Sequence, residues 1–360
     1  MIQAPEIGSE FALRPHSEGN VGRVVRNLVG NRPSHLVGSG REALRLLLHD
    51  AASRGRTRVA FPAYLCPALL EALHPDQTAT FLPTGAELAP TRDAVGSFLR
   101  SGYPDDAVLV AAPYFGAAWP AEISDAIEGA WAAGVEILED RSHSLFSEDA
   151  HLEARRGCAS LRKWAALPDG GIAFGTAVDG LTPDAEPGGP SAEARREGME
   201  AKARFLDSGE GDKDAFLAKI AEGEAALEKV AGVRAITAES KERLGGWDLA
   251  DLRGKRQANA QRLIQGLRHL TGVDPLVRFG PDDVPLGVPV LCDDRDRVRK
   301  GLIAQRIYCP VHWALPAAVA KDRFAHEHGV QDRVLTLVCD QRYGEADMDR
   351  TLEALRRLVQ

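Results

Sequence analysis

The sequence has few cysteines and no long apolar run. Five cysteines occur in 360 residues, they are scattered, and none forms a close pair. The pattern therefore indicates neither a disulfide framework nor a zinc knuckle, and it fits a reducing cytoplasm. No apolar stretch approaches the roughly 20 residues needed to cross a bilayer, and the first residues lack the apolar core of a signal peptide. We expect a cytoplasmic protein with no membrane partner and no metal site.

A long basic tract is also missing. The chain carries 44 basic and 52 acidic residues, which gives a net charge of −8. This balance argues against nucleic acid as a main partner. The length, together with an apolar content of 44%, is enough to bury an ordinary core. The composition predicts a folded protein whose partner is a small molecule or another protein.

Short apolar segments alternate with helical patterns over the first part of the chain. Glycines and Ser39 precede a helix that we expect to run to about Ala52, because apolar residues recur there at helical spacing. Further strands are predicted at 58–61, 78–82, 107–112 and 135–139. Further helices are predicted at 92–100 and 120–133, and a turn from Pro62 is predicted to lead into a helix that ends near Leu73. Repeated βα units of this length predict a mostly parallel sheet that is buried on both faces.

The pattern changes after about Leu249. Helices are predicted at 253–270 and 295–306, a strand at 334–338, and a closing helix from about 345. These elements are typical of a small α+β domain. We therefore predict a large α/β domain over residues 1–240 and a small C-terminal domain over residues 241–360. The N-terminal segment can pack on the small domain.

Lys163 stands in a short turn before the pair Gly170 and Gly171 and an apolar strand. A lysine there is poorly solvated and well placed to hold a carbonyl cofactor. Asp140 and His143 follow the preceding apolar strand, at the edge where open α/β sheets bind ligands. Pyridoxal 5'-phosphate needs a lysine, a carboxylate, a flat side chain and backbone amides. A solvated lysine and an N-cap aspartate are the alternative readings.

The order of the motifs resembles that of the fold type I pyridoxal phosphate enzymes, and among them the DegT/DnrJ/EryC1/StrS group of sugar aminotransferases. The motifs span nearly the whole chain: Gly38-Ser-Gly-Arg-Glu-Ala-Leu, Phe61-Pro-Ala-Tyr, Ala112-Pro-Tyr-Phe-Gly, Leu138-Glu-Asp-Arg-Ser-His, Ser160-Leu-Arg-Lys, Ile307-Tyr-Cys-Pro-Val-His-Trp and Asp340-Gln-Arg-Tyr. The resemblance implies an α/β fold with a mostly parallel, seven-stranded type of sheet and a small C-terminal α+β domain. It also implies a biosynthetic homodimer with shared active sites.

By position, the resemblance implies a role for three residues at the reacting end of the cofactor. Lys163 would form the internal aldimine, and Asp140 would pair with the pyridine nitrogen and keep the ring cationic. His143 falls where the family has Gln or His near the phenolic oxygen. A satisfied, partly buried histidine is the alternative for His143.

Other residues would hold the phosphate, the ring face and the substrate. The amides at the helix start would meet the phosphate, together with a nearby serine: Ser39, Gly40, Arg41, Glu42 and Ser160. Arg41 stands where the family more often has threonine, so it can pair with phosphate or with a substrate carboxylate. Tyr64 is the aromatic candidate for the ring face, with Cys66 as its competitor. The substrate candidates are Tyr114, His312 and Arg342. Ordinary core packing and a plain helix start are the alternatives.

These residues predict an aminotransferase-like enzyme that acts on a small amine or keto substrate. Two alternatives stay open, because one scaffold hosts several chemistries. The first is a pyridoxal phosphate enzyme of specialised metabolism that makes or breaks a carbon–carbon or carbon–heteroatom bond on an amino-acid-like substrate. The second is a non-catalytic regulator that keeps the fold. Such a regulator is expected to have lost the lysine or the aspartate, and both are present.

Overall fold

The computed structural model describes residues 5–85, 87–147 and 155–359. Its strands are β1 (Ile7–Gly8), β2 (Ser34–Val37), β3 (Arg58–Pro62), β4 (Thr78–Leu82), β5 (Ala107–Ala111), β6 (Glu136–Asp140), β7 (Arg156–Ser160), β8 (Gly171–Phe174), β9 (Val273–Pro275), β10 (Val288–Cys292), β11 (Ile307–Tyr308) and β12 (Val334–Leu337). Its helices are α1 (Val21–Val29), α2 (Gly40–Ser53), α3 (Arg92–Arg100), α4 (Ala121–Ala132), α5 (Pro190–Ser208), α6 (Lys213–Glu228), α7 (Ala238–Gly245), α8 (Leu249–Leu267), α9 (Arg295–Ala304), α10 (Ala325–Arg333) and α11 (Glu345–Val359).

A seven-stranded sheet with the order β2-β8-β7-β6-β5-β3-β4 forms the centre of the larger part. The neighbours from β4 to β7 all pair in parallel, whereas β8 runs antiparallel to both β7 and β2. Every residue of β5 and β7 is buried, as expected for strands that are covered by helices on both faces. The predicted mostly parallel sheet is confirmed.

Helix α2 shows why the first predicted helix forms where it does. The Ser39 side chain accepts a hydrogen bond from the Glu42 amide and caps the helix. The apolar residues of α2 are buried on the face that meets the sheet. The helix predicted to end near Leu73 is present as a short 3-10 helix over Pro67–Ala72. Pro67 has no amide hydrogen and starts that turn at its first position.

A second, antiparallel sheet with the order β12-β10-β9 lies in the C-terminal part of the chain. Helices α8, α9 and α11 contribute to its hydrophobic cluster, and Ile7 from the N-terminus is buried in the same cluster. Strand β1 pairs in parallel with β11, so the N-terminal segment does lie against the C-terminal part. The domain boundary near residue 240 stays a prediction. No helix in the described ranges is both long and apolar enough to span a membrane.

Candidate active site

A cavity of about 200 Å³ lies at the edge of the large sheet where the parallel strands end. Asp140 is the last residue of β6, Ser160 is the last residue of β7, and Lys163 closes the 3-10 turn that follows β7. All three line this cavity. It is also lined by Ser39, Gly40, Arg41, Cys66, Tyr114, Ser142, His143, Arg162, Glu224 and Trp313. We call it the sheet-edge cavity.

Lys163 and His143 face each other inside the sheet-edge cavity. The Lys163 Nζ lies 3.2 Å from the His143 Nε2. The Phe115 amide donates a 3.3 Å hydrogen bond to the His143 Nδ1. A neutral imidazole whose Nδ1 accepts this bond carries its proton on Nε2, on the side of the lysine. Burial, and then the charges of Lys163 and His312, hold the pKa of His143 well below its usual value, so the ring is neutral.

The Asp140 carboxyl group ends β6 and lines the sheet-edge cavity. Its Oδ1 accepts a 3.0 Å hydrogen bond from the Ser142 amide. Desolvation raises the pKa of Asp140, although the bonds from Ser142 and the charge of Lys163 oppose the rise. A cation placed beside this carboxylate would therefore be favoured, since it would offset the cost of desolvation.

The start of α2 rests directly on the first residue of β8. A Cβ atom added to Gly171 would lie 2.2 Å from the Ser39 carbonyl carbon and 2.6 Å from the Gly40 nitrogen. The Gly170 amide donates a 2.7 Å hydrogen bond to the Gly38 carbonyl. The glycine pair after Lys163 therefore lets the helix start approach the cavity wall. Ser39, Gly40 and Arg41 of this start line the cavity, where free helix-start amides would favour an anion.

Charged side chains surround the same end of the sheet-edge cavity. Arg41 pairs with Glu71, and the Arg162 Nη1 lies 2.7 Å from the Glu224 Oε1. Arg195 also pairs with Glu224. Although burial acts in the opposite direction, Arg162 and Arg195 lower the pKa of Glu224 to about 2. Glu224 could not be identified from the sequence, because it lies on α6, 62 positions after Arg162, and no motif marks it.

The structure brings Tyr114 rather than Tyr64 to the sheet-edge cavity. Tyr64 is fully buried and does not line it. Its ring lies behind the lining, 5.8 Å from the Tyr114 centroid and 5.6 Å from that of Trp313. The structure thus places Tyr64 behind the lining, and its contact with a bound ring stays a prediction. The cavity is lined instead by the aromatic side chains of Tyr114 and Trp313 and by the Cys66 thiol.

Two further predicted side chains, those of Glu42 and Arg342, already have partners within the chain, and their roles stay predictions. The Glu42 amide bonds to Ser39, and its fully buried carboxylate accepts a 2.9 Å hydrogen bond from the Arg234 Nε. Glu42 therefore does not reach the sheet-edge cavity. Arg342 lies 2.8 Å from the Asp340 Oδ2 and donates to backbone carbonyls of the N-terminal segment. It lies outside the sheet-edge cavity as well.

A second cavity of about 350 Å³ also reaches Lys163, from the C-terminal side. We call it the outer chamber. His312 lines it, and its Nδ1 lies 2.9 Å from the Thr336 Oγ1. Desolvation and the charge of Lys163 lower the pKa of His312 to about 3, so this ring is neutral. Lys163 thus lines both cavities, and each of them is lined by one neutral histidine. No group of metal-ligating side chains occurs in the described part of the chain.

Comparison of the sequence with family models gave no match, and comparison with curated proteins gave none either. Solved structures are similar over nearly the whole chain. The aminotransferase TlmJ from Streptoalloteichus hindustanus superposes with a TM-score of 0.68 at 16% identity and covers 98% of both chains. The sugar aminotransferase CalS13 from Micromonospora echinospora gives 0.67 at 15% identity, covering 97% of this chain and 98% of its own.

A DegT DnrJ EryC1 StrS aminotransferase from Brucella abortus is similar too. It superposes with a TM-score of 0.66 at 15% identity, covering 94% of this chain and 89% of its own. Likeness at this level of identity shows the fold. The chain therefore has the fold of the fold type I aminotransferases, as the motifs predicted.

Proposed function

We propose that this protein is a pyridoxal phosphate-dependent aminotransferase that acts on a small amine or keto substrate. One observation carries the proposal: a single cavity at the carboxyl edge of a parallel sheet is lined by Lys163, Asp140, His143 and the start of α2. Ligands bind at this edge in open α/β folds. The likeness to structures described as aminotransferases supports the same conclusion.

The residues of the sheet-edge cavity fit this cofactor. Desolvation raises the pKa of the Asp140 carboxyl group, so its ionised form lacks a compensating charge. The protonated ring nitrogen of the cofactor would supply that positive charge. Tyr114 lines the cavity, and its buried hydroxyl has no hydrogen-bond partner among the described residues, so it can bond to a ligand. Gly171 lets the start of α2 lie close to β8, because a Cβ there would clash with the Ser39 backbone. An anionic group would be favoured where this start, with Ser39, Gly40 and Arg41, lines the cavity.

Each end of the cofactor has its own set of residues in this proposal. Ser39, Gly40, Arg41 and Ser160 would hold the phosphate. Lys163 would bond covalently to the aldehyde carbon, and Asp140 and His143 would bind the ring nitrogen and the phenolic oxygen. When bound, the cofactor supplies an aldehyde that condenses with amines and a ring that withdraws electrons from the substrate. The remaining steps fall to the side chains of this chain.

Lys163 would move the proton during transfer. Its Nζ is partly buried and lies beside the neutral His143 imidazole, so a proton taken from the substrate would stay near this nitrogen. The His143 Nε2 lies 3.2 Å from the Lys163 Nζ, so the imidazole would hold this nitrogen in place. The Phe115 amide, in turn, donates to the imidazole Nδ1 and holds the ring.

We further propose a cytoplasmic homodimer with shared active sites. All five cysteines are free thiols, and four of them are buried, which suits a reducing compartment. Cyclic dimers are the commonest soluble assemblies. Size-exclusion chromatography with light scattering tests this part, and a monomer at micromolar concentration would contradict it.

The decisive experiment compares Lys163→Ala with Lys241→Ala after incubation with pyridoxal phosphate. Lys241 is an exposed residue of α7 outside both cavities, so it controls for the loss of a lysine. We expect the wild type and Lys241→Ala to absorb as lysine-bound cofactor, and borohydride to fix the cofactor on Lys163. Lys163→Ala should lose both signals. Retention of both would refute the assignment.

Product analysis separates aminotransfer from the other reactions. The wild type is mixed with a panel of amino donors, and pyridoxamine phosphate is measured by chromatography. Its formation with at least one donor supports aminotransfer. Covalent attachment to Lys163 without any pyridoxamine phosphate would instead favour an enzyme that makes or breaks a bond to carbon.

A further inference from the structure

We propose that Gln341, oriented by Arg256, is a positioning residue for Lys163. The inference rests on the proposed function, because it takes Lys163 as the reacting amine. Both residues act through the carbonyl of Trp164, the residue directly after the lysine. The inference adds that the direction of the reactive amine is set from the C-terminal part of the chain.

Lys163 stands at the end of a very short element. It is the last residue of the 3-10 turn Leu161–Lys163, and the Trp164 amide closes this turn with a 3.1 Å hydrogen bond to the Leu161 carbonyl. Such a short turn is weak on its own, and the carbonyls at its end have no partner inside it. Because a lysine side chain is long and flexible, its amine is placed reliably only if the backbone beneath it is held.

The Trp164 carbonyl accepts hydrogen bonds from two side chains of the C-terminal part. The Gln341 Nε2 donates a 2.7 Å bond to it, and the Arg256 Nη2 donates a 3.3 Å bond. Since Trp164 is fully buried, a carbonyl left without donors there would be costly. The two donors therefore fix the backbone directly after Lys163.

Arg256 decides which end of the Gln341 amide faces the Trp164 carbonyl. The Arg256 Nε donates a 3.0 Å hydrogen bond to the Gln341 Oε1. A guanidinium has donors only, so the amide oxygen faces the arginine and the amide nitrogen is left for the carbonyl. Arg256 is itself fully buried, and its Nη1 donates to the carbonyls of Pro285 and Leu286. The guanidinium that orients the amide is thus held by its own hydrogen bonds.

The Trp164 side chain connects this backbone to the residues that would hold the cofactor ring. Its Nε1 donates a 3.1 Å hydrogen bond to the Ser142 carbonyl, and the Ser142 amide donates to the Asp140 carboxylate. The Arg256 guanidinium lies 4.6 Å from the centre of the Trp164 ring. Trp164 therefore joins the turn that bears Lys163 to the turn after Asp140. Loss of the Gln341 bond should shift the lysine relative to that carboxylate.

Gln341→Glu separates positioning from general stability. The new carboxylate keeps the size of the side chain and still accepts from the Arg256 Nε, but it cannot donate to the Trp164 carbonyl. Gln257→Glu is the matched control and adds the same charge. The Gln257 Nε2 also donates to a backbone carbonyl, that of Asp283, and Gln257 lines neither cavity. Urea unfolding establishes that each variant is folded.

Hydrogen–deuterium exchange on the cofactor-free protein tests the contact itself. The Trp164 amide closes the turn, so peptides that contain it report how often the turn opens. Exchange there should be about tenfold faster in Gln341→Glu than in the wild type, which corresponds to the loss of one hydrogen bond. Gln257→Glu should exchange at the wild-type rate. Unchanged exchange in Gln341→Glu, or an equal rise in Gln257→Glu, would overturn the proposal.

Cofactor binding tests the consequence for the lysine. Stopped-flow absorbance measures how fast pyridoxal phosphate attaches to Lys163. Calorimetry measures the affinity for pyridoxine 5'-phosphate, which has the ring and the phosphate but no aldehyde. Gln341→Glu should slow attachment about tenfold and leave the affinity for pyridoxine phosphate within about twofold, because only the lysine is displaced. Attachment at the wild-type rate would refute a positioning role. Equal losses in both measurements would refute it too, since they would mean general damage to the cavity.

Arg256→Met removes the group that orients the amide. It should slow attachment in the same way, with a larger loss of stability, because the Pro285 and Leu286 carbonyls also lose their donor. Attachment at the wild-type rate in Arg256→Met would contradict the orienting role.

Turnover and the wild type complete the test. With an amino donor, Gln341→Glu should lower kcat and leave KM nearly unchanged, and a loss confined to KM would count against positioning of the lysine. A wild type that does not take up pyridoxal phosphate on Lys163 refutes the proposed function. The exchange experiment still decides, in that case, whether Gln341 holds the turn.

Discussion

Substitution of Gly171 with alanine should displace the start of helix α2 and damage the sheet-edge cavity. The added Cβ would lie 2.2 Å from both the carbonyl carbon and the oxygen of Ser39, and 2.6 Å from the Gly40 nitrogen. Real Cβ contacts are essentially never this short, and all three atoms belong to the backbone. No rotamer change can relieve the clash, so the strand or the helix start must move.

The loss of stability in Gly171→Ala depends on whether the clashing atoms belong to side chains or to the backbone. Overpacking a core by a methyl group costs about 1–3 kcal/mol when side chains can adjust. Because the neighbours of Gly171 are backbone atoms, we expect a loss of about 3 kcal/mol in the free energy of unfolding, at the upper end of that range. The displaced amides should also weaken the binding of pyridoxal phosphate by about tenfold, which corresponds to the loss of one hydrogen bond to an anion.

Urea unfolding of the full-length protein and absorbance titration with the cofactor measure the two effects. Gly129→Ala is the matched control, because Gly129 is an exposed residue of α4 and an added Cβ there would meet nothing within 4 Å. Alanine in a helix interior should raise the stability by about 0.5–1 kcal/mol. If Gly171→Ala unfolds at the wild-type midpoint and binds the cofactor equally well, the proposed contact between α2 and β8 is refuted.

Two other substitutions test the charges around the site. Asp140→Asn should weaken cofactor binding but stabilise the cofactor-free protein at pH 7, because the raised pKa of Asp140 means that its ionised carboxylate is disfavoured in the fold. The gain in the free energy of unfolding, measured in urea, should vanish as the pH falls towards 3.8, the usual pKa of this side chain. Equal stability at pH 7 would contradict this sign. Arg234→Met should cost about 3–5 kcal/mol in urea unfolding, since it leaves the fully buried Glu42 carboxylate without its ion-pair partner. Arg297→Met, which breaks an exposed ion pair with Asp294, should change stability by less than about 1 kcal/mol. Similar losses of stability in Arg234→Met and Arg297→Met would refute this difference between the buried and the exposed ion pair.

The parallel sheet and the position of the lysine were predictable because both depend on local pattern. Alternating apolar segments and helices specify βα units, and the carboxyl ends of neighbouring parallel strands must meet at one edge. Asp140 ends β6 and Lys163 follows β7, and these strands pair side by side, so their sequence positions alone bring the two residues to the same cavity. The pair Gly170 and Gly171 carried a second signal, since glycines allow two backbones to approach closely.

The aromatic lining was not predictable at the same level. Tyr64 and Tyr114 both follow strands of the large sheet, and their rings lie 5.8 Å apart. Which of them faces the cavity depends on the turn after each strand and on Trp313, which arrives from the C-terminal part of the chain. Sequence pattern specifies that an aromatic ring is near the edge, but it does not specify the direction of the ring.

Charged residues were the hardest to assign, because their partners come from distant segments. Glu42 finds Arg234 at a separation of 192 residues, and Arg342 finds the carbonyls of Ser9 and Glu10 at separations of 333 and 332 residues. A buried charge needs a partner, so long-range pairing decides whether a side chain is structural or available to a ligand. No local motif contains that information.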